Sequence, residues 1–310
     1  MAGLSTSALD IAPSARPFSA LPSAIPDFWA LTKPEVNFLI VIATFAGFYL
    51  GYRYPGDLHN FPLGRLLNVL FGTLLVASGT GTLNQYLEHH FDAQMRRTHR
   101  RPVAAGRVRP ATAAWFGVLL SFIGGVYLFV AVNPLASALA LFTLSTYLLI
   151  YTPLKRKTPL CTLVGAFPGA MPVMIGWAAA SGSITSGRAW ILYAVLFLWQ
   201  FPHFMAIAWM YREDYDRAGY RIFPTENEGR FLSWMTAAPT LALFVVGLGA
   251  AAADGGGLLQ YSATVLLGSG LLYYASRQTF IRSRIAAREL LKATILYLPL
   301  QFVILILQKG

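Results

Sequence analysis

Apolar stretches about 20 residues long recur along nearly the whole of this sequence. Because the hydrocarbon core of a bilayer is about 30 Å thick, a helix that crosses it needs roughly 20 mainly apolar residues. Windows of that kind are found at residues 36–52, 66–84, 111–132, 135–152, 161–180, 189–210, 231–253, 258–276 and 291–307. Alternating ten-residue segments, typical of a membrane β-barrel, are absent from the sequence. The pattern predicts an all-α, polytopic membrane bundle of nine transmembrane helices, in which Gly47, Gly51, Gly165 and Gly169 allow helices to approach closely.

The composition supports this fold class. Of the 310 residues, 56% are hydrophobic and 12% are charged, whereas roughly a quarter are charged in soluble proteins. A single water-soluble core is therefore excluded. The net charge of +11 is of the kind that polytopic proteins carry on their cytoplasmic face, near anionic lipid headgroups, so nucleic acid is not a predicted partner. The single cysteine, Cys161, excludes an intramolecular disulfide, and no Cys/His spacing is typical of a zinc site.

The distribution of basic residues predicts the orientation. Lys and Arg gather in cytoplasmic loops, and with nine spans and a cytoplasmic N-terminus all but four of the 24 basic residues lie on the cytoplasmic side. The exceptions are Arg53, Arg65, Arg188 and Lys309. We therefore expect the N-terminus inside and the C-terminus outside.

Residues 1–30 are expected to form a disordered leader, and residues 31–310 a single membrane domain. The leader is rich in Ala, Ser and Pro and has no apolar run long enough for a signal peptide. An organelle transit peptide would carry more Arg and fewer acidic residues, so it is the less favoured alternative.

Three polar residues continue the second apolar window at four-residue intervals: Asn84, Glu88 and Asp92. At about 100° per residue they drift only about 40° per step, so they form one stripe roughly 12 Å long on a helix. Mg²⁺ is typically held by one or two carboxylates together with substrate phosphates. The stripe therefore predicts part of a metal site. The alternative is a solvated helix end, with Asp92 paired to Arg96 at the i+4 position.

Basic residues follow the acidic stripe and recur after the fourth window. Arg97, Arg101, Lys155 and Arg156, with Arg212 farther along the chain, are on the same predicted face as the carboxylates. Carboxylates beside cations suggest a metal–diphosphate site, in which Arg and Lys neutralise charge on a departing diphosphate. The alternative is that many of these cations, including most of those between Arg277 and Lys292, only set the topology.

A second acidic segment follows the sixth window, four helices after the first. Asp214 is the predicted second metal ligand, because carboxyl groups recurring at that offset suggest a duplicated arrangement around a shared cavity. Glu213 and Asp216 are expected instead to pair with Arg212 and Arg217 at helical spacing.

His203 lies beside a proline in the sixth window. A neutral imidazole in a membrane bundle seldom faces lipid, so His203 is a candidate for haem contact or iron ligation, with a structural hydrogen bond as the alternative. His89 and His90 are expected to be interfacial and solvated.

Seven sequence blocks together resemble the UbiA-type intramembrane prenyltransferases, and within that family the branch that farnesylates haem. The blocks are Leu31-Thr32-Lys33-Pro34-Glu35-Val36, Asn84-x3-Glu88-x3-Asp92 running into Arg97-Thr98-x2-Arg101-Pro102, Tyr151-Thr152-x-Leu154-Lys155-Arg156-x-Thr158, Gly165-x3-Gly169-Ala170-x-Pro172-x3-Gly176-Trp177, Trp199-Gln200-Phe201-Pro202-His203-Phe204, Asp214-Tyr215-x2-Ala218-Gly219, and residues 293–299. The acidic stripe is shared across the superfamily, whereas the Arg-Thr and Trp-Gln blocks point to the haem branch.

The resemblance implies a nine-helix bundle around a central cavity. It implies an Mg²⁺-dependent enzyme that transfers the farnesyl group of farnesyl diphosphate to a vinyl group of haem b, giving haem O and diphosphate, as a step of haem O and haem A biosynthesis. Asn84, Glu88 and Asp92 match the first acidic motif and Asp214 the second. The implied location is the bacterial inner membrane, with the mitochondrial inner membrane as the alternative, and haem A synthase or oxidase-assembly proteins are implied as partners.

Two positions depart from the family pattern. The residue four before Asp214 is Met210 where the superfamily often has a second acid, and Leu160-Cys161 replaces the usual polar pair after the Lys-Arg block. Competing hypotheses are a UbiA-type transferase with an aromatic acceptor and a transporter or haem-binding membrane protein. The latter would be expected to have broken helices near the bilayer midplane rather than acids at helix ends.

Overall fold

The computed structural model describes residues 24–52, 61–224, 226–253 and 257–309, and their regular structure is helical throughout. The helices are α1 (Ala24–Leu31), α2 (Pro34–Gly51), α3 (Leu63–Asp92), α4 (Pro110–Ala131), α5 (Pro134–Ser145), α6 (Thr152–Leu154), α7 (Cys161–Ser181), α8 (Gly187–Met210), α9 (Arg212–Arg217), α10 (Glu228–Ala253), α11 (Leu258–Ile281) and α12 (Arg284–Lys309). A π-helical segment, Thr146–Tyr151, joins α5 to α6. The prediction of an all-α fold is confirmed.

Eight of the described helical segments are long and apolar enough to cross a membrane. They comprise α2, α3, α4, the continuous segment Pro134–Leu154, α7, α8, α10 and α12. The predicted span at 258–276 lies in α11, which has 24 residues but is not in this group. Gln260, Ser262 and three tyrosines dilute its apolar character. The chain is thus a multi-pass membrane protein, but the predicted count of nine spans is not confirmed.

The helices form one bundle through contacts between neighbouring helices. α2 packs on α7 and α3 on α4, while α8 contacts α7, α10 and α12, and α11 lies against α10 and α12. Proline begins α2, α4 and α5, where a missing N–H costs no intrahelical hydrogen bond. The long α3 continues beyond its apolar part and so carries its polar end past the hydrocarbon core.

Glycines permit the closest helix contacts, as predicted. A side chain at Gly47 would collide with the backbone carbonyl of Val173 on α7, and one at Gly169 with the amide oxygen of Gln200 on α8. At Gly51 the fit is tight but less so, because a Cβ there would lie 3.1 Å from the Cα of Trp177. Backbones this close gain dispersion contacts that lipid cannot replace.

The predicted leader falls largely outside the described residues. Residues 1–23 are not described, and the last seven residues of the predicted leader, 24–30, belong to α1.

Candidate active site

The acidic stripe of α3 is buried on one face of the helix. Asn84, Glu88 and Asp92 are 1%, 5% and 1% exposed. Asn84 Nδ2 donates a hydrogen bond of 2.8 Å to Glu88 Oε2. Burial of two carboxylates at a membrane helix end is costly unless each has a partner. The stripe is therefore turned into the protein rather than toward solvent.

Lys155 is the partner of Glu88. It follows α6, and its Nζ lies 2.9 and 3.0 Å from the two carboxylate oxygens. Although burial acts to lower the pKa of Lys155, the Glu88 carboxylate raises that pKa well above its ordinary value. The Lys155 carbonyl accepts a 2.8 Å hydrogen bond from the Arg221 N–H, which ties the loop after α9 to this point.

Lys33 is a second cation in the site, and it was not among the predicted site residues. Its Nζ donates a 2.6 Å hydrogen bond to Asn84 Oδ1. Burial, followed by the positive charge of Arg101, holds the pKa of Lys33 well below its ordinary value. The available signal was its place directly before Pro34, in the one block of the resemblance that precedes the first span.

The turn that carries Lys33 is held by two buried amides. Gln85 Nε2 on α3 donates to the carbonyls of Ala30 and Leu31 at 3.1 and 3.2 Å. Asn37 Nδ2 on α2 donates to the carbonyl of Thr32 at 2.8 Å. Lys33 itself has φ 53°, a left-handed conformation that is unfavourable for lysine. These hydrogen bonds offset the strain and direct the lysine toward Asn84.

Asp92 pairs with Arg101, not with Arg96. Arg101 Nη1 lies 2.8 and 2.7 Å from the two Asp92 oxygens, and Thr98 Oγ1 donates to the Asp92 carbonyl at 3.0 Å. The proposed i+4 surface pair was wrong because the chain leaves the helix at residue 93. It then turns back, so that Arg101 reaches the buried face.

The second acidic segment is arranged differently from the expectation. Asp214 is buried, and Arg217 Nη1 lies 3.2 Å from its Oδ1. The same nitrogen is 3.5 Å from the carbonyl oxygen of Gln94, just after α3. Arg217 was expected to pair with Glu213 or Asp216, which is wrong for this structure because the i+3 position brings it to Asp214 instead.

Arg97 connects the two acidic segments. Its Nη2 donates to the Tyr215 hydroxyl at 3.3 Å, and its guanidinium lies 5.5 Å from the Tyr211 ring centre. Its pKa is raised, first by Tyr215 and, against the effect of burial, by Asp92. The loop after α3 therefore meets α9 on one side of the bundle, as the offset between the two acidic segments suggested.

Arg156 and Arg212 lie at the rim of this region. Both are exposed. The Arg156 guanidinium lies 4.7 Å from the Phe91 ring centre, and that of Arg212 lies 4.6 Å from the ring centre of Trp209. Each guanidinium thus lies against an aromatic ring, which positions it without neutralising its charge.

His203 on α8 is half-buried against α12. Its ring stacks on Trp199 at 4.6 Å, and its Nδ1 lies 2.9 Å from Thr294 Oγ1. The Thr294 hydroxyl donates its proton to the Leu291 carbonyl at 2.7 Å. His203 Nδ1 must therefore be the donor to Thr294, which leaves the lone pair on Nε2.

His89 and His90 lie side by side at the end of α3, with their rings tilted by 36°. Their ring centres are 3.9 Å apart, and His89 Nδ1 is 2.6 Å from the Tyr86 carbonyl oxygen. Their solvated role remains a prediction.

The oxygen donors of the site suit a metal ion whose ligands come partly from the protein and partly from a substrate. Among the described residues, no group of three or more His, Cys, Asp or Glu side chains could hold a metal by itself. The inward-facing oxygens of Asn84, Glu88 and Asp92 are hard donors, however, and Mg²⁺ commonly binds one or two carboxylates while phosphates and waters complete its coordination. The residues therefore fit Mg²⁺ bound together with a diphosphate, not a metal held by protein alone.

Comparison with known proteins gives a consistent result. The sequence model of the UbiA prenyltransferase family matches residues 40–298. A protoheme IX farnesyltransferase from Solibacter usitatus is 42% identical over 288 residues, covering 91% of this chain and 98% of that protein. Another from Koribacter versatilis is 37% identical, covering 96% and 97%.

Solved structures show the same fold at low sequence identity. A digeranylgeranylglyceryl phosphate synthase structure has a TM-score of 0.72 at 13% identity, covering 93% of this chain and 99% of that chain. A UbiA homologue from Archaeoglobus fulgidus bound to GPP and Mg²⁺ has a TM-score of 0.60 at 15% identity, covering 90% and 99%. By its sequence match over residues 40–298 and its relatives along almost their full length, the chain belongs to the UbiA prenyltransferase family.

Proposed function

We propose that this protein transfers the farnesyl group of farnesyl diphosphate to a vinyl group of haem b, giving haem O and diphosphate. The observation that carries the proposal is the 42% identity to a protoheme IX farnesyltransferase over 98% of that protein's length. The buried acidic stripe of α3, with a cation on each member, supports the prenyl diphosphate half of the reaction. The product would enter haem O and haem A biosynthesis.

The diphosphate is proposed to bind where Lys33, Lys155 and Arg101 now contact Asn84, Glu88 and Asp92. Each cation is within hydrogen-bond distance of one member of the stripe. A diphosphate would attract these cations through charge-assisted hydrogen bonds. Arg97, Arg156 and Arg212 are proposed to contribute further positive charge around it.

Mg²⁺ is the proposed cofactor. Asn84, Glu88 and Asp92, with Asp214 from the second segment, would hold it together with the diphosphate. The A. fulgidus relative bound to GPP and Mg²⁺ supports a metal used with a prenyl diphosphate. When bound, the metal neutralises the negative charge that accumulates on the departing diphosphate.

The protein's own residues would promote ionisation and orient the two substrates. As the bond from farnesyl C1 to the diphosphate oxygen breaks, its electron pair leaves with the diphosphate, and Lys155 and Arg101 stabilise that charge. The vinyl group of haem b then supplies the electron pair for a new bond to C1. Water adds to the resulting benzylic-type cation and loses a proton, which leaves a hydroxyethylfarnesyl substituent. The protein supplies no nucleophile, so orientation of the two substrates is its main task.

His203 is proposed to contact the haem, through the lone pair on Nε2. The Thr294 hydrogen bond fixes the neutral tautomer that an iron ligand requires. Trp199, stacked on the ring and bonded from Nε1 to the Thr294 carbonyl at 2.7 Å, holds the same arrangement. α8 and α12 would then form the haem side of the site.

The protein is proposed to lie in the bacterial inner membrane with its N-terminus in the cytoplasm, as the distribution of Lys and Arg favours. Its relatives above come from bacteria. Haem A synthase or oxidase-assembly proteins are proposed as partners that receive the product.

The test is chromatographic detection of haem O formed by the purified protein from haem b, farnesyl diphosphate and Mg²⁺. Haem O and diphosphate are expected in equal amounts. Prenylation of 4-hydroxybenzoate with haem b unchanged would overturn the acceptor. Haem binding without release of diphosphate would instead indicate a haem carrier.

A further inference from the structure

The short helix α1 exposes its apolar residues and buries its charged residue. Its outer face consists of apolar residues: Ile25, Pro26, Trp29 and Ala30. Ile25 is 84% exposed and Trp29 is 64% exposed. Asp27, the one charged residue of the helix, is only 5% exposed. A helix at a water surface would have the opposite arrangement.

The inward position of Asp27 is stabilised by a specific partner. Arg107 Nε, in the loop between α3 and α4, lies 2.8 Å from Asp27 Oδ1. Leu31 and Phe28 pack on the same side against Val103 and Val108 of that loop. The loop therefore covers the inner face of α1 and leaves the outer face without a protein neighbour among the described residues.

Two contacts place α1 at the depth of a membrane surface. The Phe28 ring lies 4.9 Å from that of Phe116, which is six residues into α4 and so about 9 Å beyond its start at Pro110. Gln85, which donates to the Ala30 carbonyl, directly follows the apolar window 66–84 of α3, where that helix leaves the hydrocarbon core. α1 is therefore level with the boundary of these membrane spans, not with the polar end of α3.

The outer face of α1 also continues the lipid-facing surface of its neighbours. Trp115 on α4, next to Phe116, is 75% exposed, and Phe38 on α2 is 66% exposed. Both lie within the first two turns of candidate membrane spans. Tryptophan favours the boundary between headgroups and acyl chains.

We propose that α1 is an interfacial helix whose outer face inserts into the headgroup region of the leaflet next to the start of α2. The partner is the lipid surface itself. Because only two residues separate α1 from α2, this contact would also fix the depth in the membrane of the turn that carries Lys33. The proposal does not depend on the reaction that the protein catalyses.

The test uses single cysteines labelled with bimane in the full chain, reconstituted in phosphatidylcholine–phosphatidylglycerol vesicles. Ile25→Cys and Trp29→Cys report on α1. The exposed loop residue Lys157 provides an aqueous control as Lys157→Cys, and Phe122→Cys on α4 provides a deep lipid control. The native Cys161 is buried, so the unsubstituted protein measures background labelling.

We expect both α1 labels to be quenched several-fold more by lipids with a nitroxide near the headgroup than the Lys157→Cys label. Both α1 labels should be shielded from aqueous iodide. The Phe122→Cys label should be quenched most strongly by lipids that carry the nitroxide deep in the acyl chain. Iodide quenching equal to that of Lys157→Cys would overturn the proposal. Shielding from both iodide and lipid nitroxides would also overturn it, because a second copy or another part of the chain would then cover α1.

Discussion

Lys33 and Asn84, which lie 51 positions apart, are joined by a 2.6 Å hydrogen bond from the lysine Nζ to the asparagine Oδ1. The contact brings a cation from the turn before α2 onto the acidic stripe of α3. The site thus combines three cations with a stripe of three oxygen-bearing side chains.

Glu88→Gln should nearly abolish turnover. The substitution removes a proposed ligand and leaves Lys155 buried beside a neutral amide, and loss of one preorganised electrostatic group costs about 10²–10³ in kcat. Haem uptake should be largely retained. The measurement is haem O formation and haem binding side by side. Glu213→Gln, an exposed acid in the second segment, is the control and should behave like the unsubstituted protein. Retained turnover in Glu88→Gln would contradict the ligand role.

Gln85→Leu should raise the KM for farnesyl diphosphate about tenfold, equivalent to about 1.4 kcal/mol, with the KM for haem unchanged. The physical reason is that the turn carrying Lys33 loses two hydrogen bonds from the Gln85 amide. A double-mutant cycle checks this: in a Lys33→Ala background, Gln85→Leu should have little further effect. An equal effect in both backgrounds would show that Gln85 acts only on general stability.

Lys33→Met should raise the thermal stability at neutral pH while lowering activity. Burial lowers the pKa of Lys33 in the folded state. At pH values below that folded pKa the lysine is charged in both states, and burying the charge destabilises the folded protein. The stabilising effect of the substitution should fade as the pH rises through the folded pKa toward about 10.4, the value of an unfolded lysine. Thermal unfolding across this range is the measurement. Lys157→Met, at an exposed position, should show no such trend, and an unchanged or lower melting temperature for Lys33→Met at pH 7 would contradict the prediction.

Removal of divalent cations should stop turnover reversibly. The oxygens of Asn84, Glu88 and Asp92 suit Mg²⁺ shared with diphosphate, and among the described residues no acidic or histidine cluster would retain a metal against a chelator. EDTA should therefore abolish haem O formation, and added Mg²⁺ should restore it. Haem uptake serves as the control and should be unaffected. Full activity in EDTA would rule out the metal role.

His203→Ala should weaken haem binding and shift the Soret band. The ring supplies the only proposed iron contact, and alanine removes it. Thr294→Val should have a smaller effect, about tenfold or less in haem affinity, since it removes one hydrogen bond of about 1 kcal/mol. Absorption spectra during haem titration measure both. An unchanged Soret band in His203→Ala would make the histidine structural, held only for its contacts with Trp199 and Thr294.

Features within one helix were predictable from the sequence. The spacing of Asn84, Glu88 and Asp92 fixes their common face because the helix repeat is a property of the backbone. The membrane spans follow equally directly from the length of the apolar windows. α11 was harder, because polar residues such as Gln260 and Ser262 dilute its apolar window, and the predicted span there is not confirmed.

The partners of the functional side chains were decided only by the tertiary structure. Sequence spacing favoured Arg96 for Asp92, but the turn after α3 brings Arg101 there. Lys33 reaches Asn84 only because α2 packs beside α3. Local spacing fixes directions around one helix axis, whereas the distance between two long side chains on different segments depends on how those segments pack. The sequence by itself therefore determined the helical membrane fold and the acidic face, and packing determined which cations meet that face.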